Sequence, residues 1–169
     1  MELKEALLKR RSVRKFTDEK VSDEQINELL HAAMSGPSAC NKTPWEFYVV
    51  KNSDKLGAVK KASLFSRFNS SLVIVVAGNT SRALPAPITE FWIQDCSAAV
   101  ENILLRATDL GLGSVWCGAY PQRRVEDNLH GVLGMPEDHV PFAIIHIGYP
   151  AETPEPRDQY DAERVHFVE

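Results

Sequence analysis

The sequence predicts one domain of mixed α and β structure, and three observations carry that expectation. The run Leu72 to Ala77 (LVIVVA) is continuously apolar and is followed by Gly78-Asn79, as a buried strand should be. Three further strand candidates, Trp45 to Val50, Ser114 to Tyr120 and Pro141 to Gly148, alternate along the chain with helical patterns. Between them, Pro87 to Leu110 keeps one apolar stripe through Ile88, Phe91, Trp92, Cys96, Ala99, Val100, Ile103, Leu104, Ala107 and Leu110. At 169 residues the chain fits one domain, 1–169, with a real hydrophobic core. Its last stretch, 150–169, reads as an extended arm.

Taken in order, Glu2 to about Arg10 is a short helix with Leu3, Ala6 and Leu7 on one face. Ser22 with Gln25 forms a capping box, and Ile26, Leu29, Leu30, Ala33 and Met34 then repeat at helical spacing. Gly36-Pro37 ends that helix, and Pro44 is expected to push Thr43 out of the helical region. Gly36 to Phe47 is therefore a turn that displays backbone N–H groups and short oxygens. It either seats a polar ligand or simply joins helix to strand, and the stretch alone leaves both open. Asn52 to about Phe68 suggests one or two small helices on a weak pattern.

Pro87 suits the first turn of the long helix, and Gly111 and Gly113 end it. Its length is on the order of 35 Å at about 1.5 Å per residue. Ile93, Ala98 and Leu105 widen its apolar surface beyond the needs of one core, and Ser97-Ala98-Ala99 would let another helix approach closely. It reads as the centre of the domain and of a dimer interface. Pro121 opens a helix with Val125, Leu129, Val132 and Leu133 that stops at Gly134-Met135-Pro136. The tail carries Pro150, Pro154 and Pro156 with dense charge, then closes on Val165-His166-Phe167-Val168, a stretch fit to pair as a strand. A tail that extends and then pairs suggests that it wraps something, most simply a second subunit.

Composition narrows the function classes. The apolar fraction of 44% and charged fraction of 25% are those of an ordinary globular protein, and a net charge of −4 gives no support to nucleic-acid binding. No apolar run is long enough to span a bilayer, and the N-terminus MELKEALLKR is helical and charged rather than signal-like. Cys40, Cys96 and Cys117 lack CxxC spacing, which favours reduced thiols in the cytoplasm over disulfides or a zinc site. There is no GxGxxG, Walker A loop, HExxH or GxSxG, and no metal site is expected. His146, on an apolar strand, reads as a satisfied core histidine, and Cys117 as a buried inert thiol.

Arg10, Arg11, Arg14 and Lys15 crowd four cations around Ser12 at a helix end. A solvated basic face is one reading, because helix C-termini favour cations. If the helix continues, however, Arg10 and Arg14 lie one turn apart, and two guanidinium groups flanking a serine suit a phosphate. Both readings stay open at this level.

Four stretches occur in order: RRSVRKF from Arg10, GPSACNKTPWEF from Gly36, FWIQDCSAAVENILLRATDLGLGSVWCGAYP from Phe91, and IGYPAETPEPR from Ile147. Together they resemble the nitroreductase family of FMN-dependent oxidoreductases, over nearly the whole chain. The resemblance implies an α+β fold, a mainly antiparallel sheet flanked by helices, with the C-terminal tail exchanged across a homodimer. It implies bound FMN, NAD(P)H as hydride donor, and a small oxidised acceptor such as a nitroaromatic or quinone, reduced by ping-pong chemistry in one shared pocket. Arg14 matches the family's basic residue beside the flavin pyrimidine, where reduced FMN carries negative charge. Arg10, Arg11 and Ser12 match positions that hold the phosphate and ribityl chain. Pro37, Ser38, Ala39 and Asn41 match a loop that lies on the flavin of the other subunit. Trp116, Cys117 and Gly118 match the segment passing the flavin's central ring, where a backbone N–H reaches the redox nitrogen, so no catalytic side chain is implied. Arg164 matches a basic tail residue that closes on the phosphate, with Arg157 as a second candidate. Thr43 and Gln159 depart from the family, which commonly has Gln and a basic residue at those places. Two rival readings keep the flavin: other chemistry such as dehalogenation or flavin fragmentation, and a non-catalytic flavin-binding module. The short span Thr80–Pro87 leaves little room for the lid that the first rival needs.

Overall fold

Runs of β-branched and aromatic residues form four strands, β1 (Trp45–Val50), β2 (Leu72–Asn79), β3 (Gly113–Gly118) and β4 (His139–Gly148). They make one antiparallel sheet in the order β1-β2-β4-β3. The computed structural model describes residues 1–168, so Glu169, the end of the expected arm, lies outside the described residues. Five helices flank the sheet: α1 (Leu3–Lys9), α2 (Asp23–Met34), α3 (Ser53–Ala62), α4 (Phe91–Asp109) and α5 (Arg123–Leu133). The architecture is α+β, and none of the helices is long and apolar enough to cross a membrane.

The two central strands explain why LVIVVA shows no alternation. Leu72, Ile74 and Val76 of β2 pack with Ile145 and Ile147 of β4 against α2 and α4. Val73, Val75 and Ala77 pack with Ile144 against α3 and α5. An antiparallel sheet covered on both faces demands apolar residues at every position, as buried parallel sheets do. Each such side chain stabilises the fold by about 1.5–3 kcal/mol relative to exposure, well above any surface ion pair.

Local signals hold where they are self-contained. The Ser22–Gln25 capping box forms in both directions, and Gly134 stops α5 in the left-handed region at φ +63°. Within the chain, the end of α2 approaches α4 closely at its small residues: a Cβ on Gly36 would lie 3.5 Å from the backbone of Ala98 and Ala99.

Other boundaries move. α4 starts at Phe91 rather than Pro87, because Ile88 N–H donates back to the Pro85 carbonyl (3.1 Å) in a separate turn. Its 19 residues span about 28 Å, shorter than the sequence suggested. α5 opens at Arg123 rather than Pro121, after a turn in which Gln122 N–H donates to the Ala119 carbonyl (2.8 Å). Only one helix forms between Asn52 and Phe68; it ends at Ala62, and residues 63–71 run irregularly over the sheet.

The N-terminal basic segment also differs from the helical alternative. α1 stops at Lys9, and Arg10 leaves it at ψ 113°. Ser12 then forms a parallel bridge to Ser114, with Val13 N–H donating to the Ser114 carbonyl at 2.9 Å. Phe16 bridges Pro150, so residues 12–16 lie along the edge of the sheet. Gly113 makes this approach possible: a Cβ there would fall 2.7 Å from Val13 Cγ1. Arg10 and Arg14 are therefore not one helical turn apart. The tail returns across α1, with Ala151 N–H bonded to the Lys15 carbonyl and Arg157 N–H to the Leu8 carbonyl. Val165–Val168 forms no strand among the described residues, and Phe167 and Val168 are 90% and 95% exposed.

Candidate functional site

The edge position of β3 creates the site. Ala119 N–H donates to the Phe142 carbonyl, which fixes the phase of the β3–β4 ladder. Alternation along an antiparallel pair then turns the backbone groups of Ser114, Trp116 and Gly118 away from β4. Val13 takes the Ser114 carbonyl and the Gln122 side chain takes the Gly118 carbonyl (3.1 Å). The N–H groups of Trp116 and Gly118 are left facing outward, and no turn or loop carbonyl among the described residues accepts them.

Two adjoining cavities open along this edge. One, of about 550 Å³ and mainly polar, is lined by Arg10, Arg11, Ser12, Arg14, Arg157 and Tyr160. The other, of about 490 Å³ and mainly apolar, is lined by Arg14, Phe65, Phe68, Trp116, Cys117 and Gly118. Arg14 alone lines both. The Glu152 carboxylate accepts from the backbone N–H groups of Arg14 (2.7 Å) and Lys15 (3.3 Å), so it fixes the backbone and leaves the Arg14 guanidinium unpaired among the described residues. Arg11 donates to the Glu155 carbonyl, and Arg10 pairs with Glu101 at 3.4 Å.

The wall opposite β3 comes from residues 63–70. The Cys117 thiol donates to the Phe65 carbonyl at 3.2 Å. Burial pushes that thiol up to about 11, so it stays protonated at neutral pH and offers no thiolate. Beneath the same segment His146 is fully buried, bonded through Nε2 to Ser66 Oγ (2.6 Å) and through Nδ1 to Ser70 Oγ (2.8 Å). Phe68 meets the ring edge-on. His146 is thus a satisfied core histidine that also anchors the cavity wall.

Burial lowers the His146 pKa to about 3. The unfolded chain takes up a proton near pH 6.5 that the folded chain refuses, so this contribution to stability is complete above pH 6.5 and is lost as pH falls toward about 3. Urea unfolding should show stability falling below pH 6.5 with a slope approaching about 1.4 kcal/mol per pH unit from this group. His146→Gln should flatten the curve between pH 6.5 and about 5; an unchanged pH dependence would contradict the assignment.

The turn after α2 lies apart from both cavities. Cys40, Asn41 and Thr43 hold φ values of +48°, +53° and +46°. Asparagine tolerates this region, whereas a β-branched threonine does so at a cost of about 1–3 kcal/mol. Pro44 does exclude Thr43 from the right-handed helical region, toward the left-handed one. Neighbours over-determine the shape. Buried Asp95 accepts from Ala39 N–H (2.8 Å), Ser38 Oγ accepts from Thr43 N–H (2.9 Å), and Arg82 donates to Thr43 Oγ1 (3.1 Å).

Of the residues singled out in the sequence, Arg10, Arg11, Ser12 and Arg14 come together with Trp116, Cys117 and Gly118. Pro37, Ser38, Ala39 and Asn41 line neither cavity. Within the chain, Arg157 is the tail cation at the polar cavity, while Arg164 is 85% exposed and bonded to Asp161 (3.0 Å). Leu64, Phe65, Arg67, Phe68 and Gln122 were not foreseen. The adjacent apolar pair Leu64-Phe65, in a stretch without periodicity, was the available signal.

Comparison with known proteins identifies the family of the chain. A model of the nitroreductase family matches residues 7–70 and 59–149. A protein of Methanothermobacter thermautotrophicus, provisionally named an NADH dehydrogenase/NAD(P)H nitroreductase, is 42% identical over 99% of this chain and 87% of its own. A crystal structure from Parabacteroides distasonis with the same provisional name superposes with a TM-score of 0.91 at 34% identity, over 98% of this chain and 96% of that one. An FMN-dependent nitroreductase from Clostridium difficile does so with a TM-score of 0.88 at 30% identity, over 97% and 98%. Family match, whole-length identity and shared architecture agree: the chain belongs to the nitroreductase family.

Proposed function

We propose that this chain is an FMN-dependent oxidoreductase that takes hydride from NAD(P)H and acts as a homodimer. The observation that carries the reading is the pair of cavities, one polar and one mainly apolar, joined at Arg14. FMN has the same division: a phosphate on a polar ribityl chain, then a flat ring system that carries negative charge at its pyrimidine when reduced. Arg10, Arg11, Ser12 and Arg157 suit the phosphate end, where planar guanidinium forks bind oxyanions. Arg14, at the junction, suits the pyrimidine, and the outward N–H groups of Trp116 and Gly118 suit the ring. FMN held by these residues would supply hydride chemistry, taking a hydride from NAD(P)H and reducing an oxidised acceptor, such as a nitroaromatic or quinone, that replaces the nucleotide in the pocket.

The chain's own contribution is binding and orientation. Backbone donors preorganised on a strand need no proton exchange during a cycle, and Phe65 and Phe68 keep water from one side of the apolar cavity. The turn that carries Pro37, Ser38, Ala39 and Asn41 completes the site from a second copy; contacts within its own chain hold its strained backbone in shape, and the second copy's flavin gives that shape a use. The C-terminal arm, with Phe167 and Val168 bare, packs on that second copy. The Clostridium difficile relative is FMN-dependent by name, and the Methanothermobacter relative is named for NAD(P)H.

Purified protein should be yellow, release FMN on denaturation, and bleach under anaerobic NADH or NADPH. Protein that takes up no FMN would overturn the reading. FMN that binds and never bleaches would make the chain a non-catalytic flavin module instead.

A further inference from the structure

A third cleft continues from the apolar cavity. It holds about 310 Å³ between the end of α3 and the start of α5, and it shares Leu64, Phe65, Arg67 and Gln122 with that cavity. Four cations line it: Lys61, Arg67, Arg123 and Arg124. None has an ion-pair partner among the described residues, so all four charges are available to a ligand. The chain as a whole carries −4, so four unpaired cations around one cleft run against its general charge. Helix stability does not account for them. Arg123 and Arg124 occupy the first turn of α5, where cations oppose the helix dipole and carboxylates are favoured. Phe65, which is 74% exposed, lines both the cleft and the apolar cavity and is an aromatic residue open to a ligand.

We infer that this cleft is the subsite for the 2′-phosphate of NADPH, and that it makes NADPH the preferred donor over NADH. The inference rests on the reading of the neighbouring cavity as a flavin site reduced by a nicotinamide nucleotide. A nucleotide with its nicotinamide at Trp116–Gly118 can extend past Leu64 and Phe65, which line both the apolar cavity and the cleft, and so bring its far end among Lys61, Arg67, Arg123 and Arg124. The nucleotide's two forms differ by one phosphate, and guanidinium groups clustered on a cleft wall discriminate in favour of a dianion. Phe65 offers a stacking face for a flat base on the way.

The test uses FMN-loaded protein, so that the polar cavity at Arg10–Arg14 is already filled. Calorimetric titration with adenosine 2′,5′-bisphosphate should show binding at least about tenfold tighter than with 5′-AMP. The double variant Arg123→Gln/Arg124→Gln should remove that advantage while FMN content and Tm do not fall, since neither arginine supports the fold. Anaerobic flavin reduction should follow, with the apparent Kd for NADPH rising about tenfold in the variant and that for NADH unchanged. Equal binding of the two adenosine nucleotides by the natural protein, a variant that keeps the preference, or a natural preference for NADH would each overturn the inference. If the bisphosphate preference is present and lost in the variant while neither nucleotide bleaches the flavin, the phosphate subsite stands and the oxidoreductase reading falls.

Discussion

Replacement of Arg14 by alanine should lower FMN affinity about ten- to a hundredfold, with little change in thermal stability. Arg14 is exposed, so its loss leaves no cavity in the core. It is also the one residue that lines both site cavities. A hydrogen bond to a charged group is worth about 1.5–3 kcal/mol, which is about one to two powers of ten in affinity. Fluorescence titration of the stripped protein with FMN measures the loss directly. Arg14→Lys should recover part of it, because the charge returns without the planar fork. The flavin that remains bound to Arg14→Ala should have a more negative midpoint potential, as the reduced form loses its counter-charge. If affinity and potential are both unchanged, Arg14 does not face the flavin.

A chain that ends at Arg164 should lose its dimer and, with it, most of its FMN. This truncation keeps every candidate flavin-binding residue and removes residues 165–169, of which Phe167 and Val168 are almost fully exposed within their own chain. In the proposed assembly those residues lie on the second copy, and each flavin needs the second copy's Pro37–Asn41 turn. Flavin retention should then depend on protein concentration, as binding linked to association does. Sedimentation and flavin absorbance, followed together across a dilution series, give the two curves. They should fall together. A truncated monomer that keeps stoichiometric FMN would show that one chain makes a whole site.

How much of this could be read in the sequence follows the range of the forces involved. The capping box at Ser22 and Gln25, the left-handed stop at Gly134 and the strand Trp45–Val50 are set by neighbours in the chain and appear as expected. Arg10 to Arg14 was ambiguous because its conformation is decided elsewhere. Ser114 offers an open strand edge, and Gly113 leaves the space that Val13 fills. The aromatic wall at Phe65 and Phe68 carries no periodic signal, since residues 63–70 are held by His146, Cys117 and their partners rather than by backbone propensity. Arg157 lines the polar cavity because its backbone is fastened to Leu8, a contact that no local rule contains. The turn at Gly36–Phe47 was visible as a break; its strain at Cys40, Asn41 and Thr43 was not.

A mixed dimer is the most direct test of the central claim, that each flavin site combines Arg10–Arg14 and Trp116–Gly118 of one chain with Pro37–Asn41 of the other. One chain would carry Arg14→Ala and the other Ser38→Ala with Asn41→Gly, the glycine keeping the turn's left-handed backbone. Each variant alone should purify with little flavin. Co-expressed and isolated as the mixed dimer, the two should regain one FMN per dimer, because one of the two sites then receives both undamaged halves. A mixed dimer as poor in flavin as either parent would contradict the account and place the whole site within a single chain.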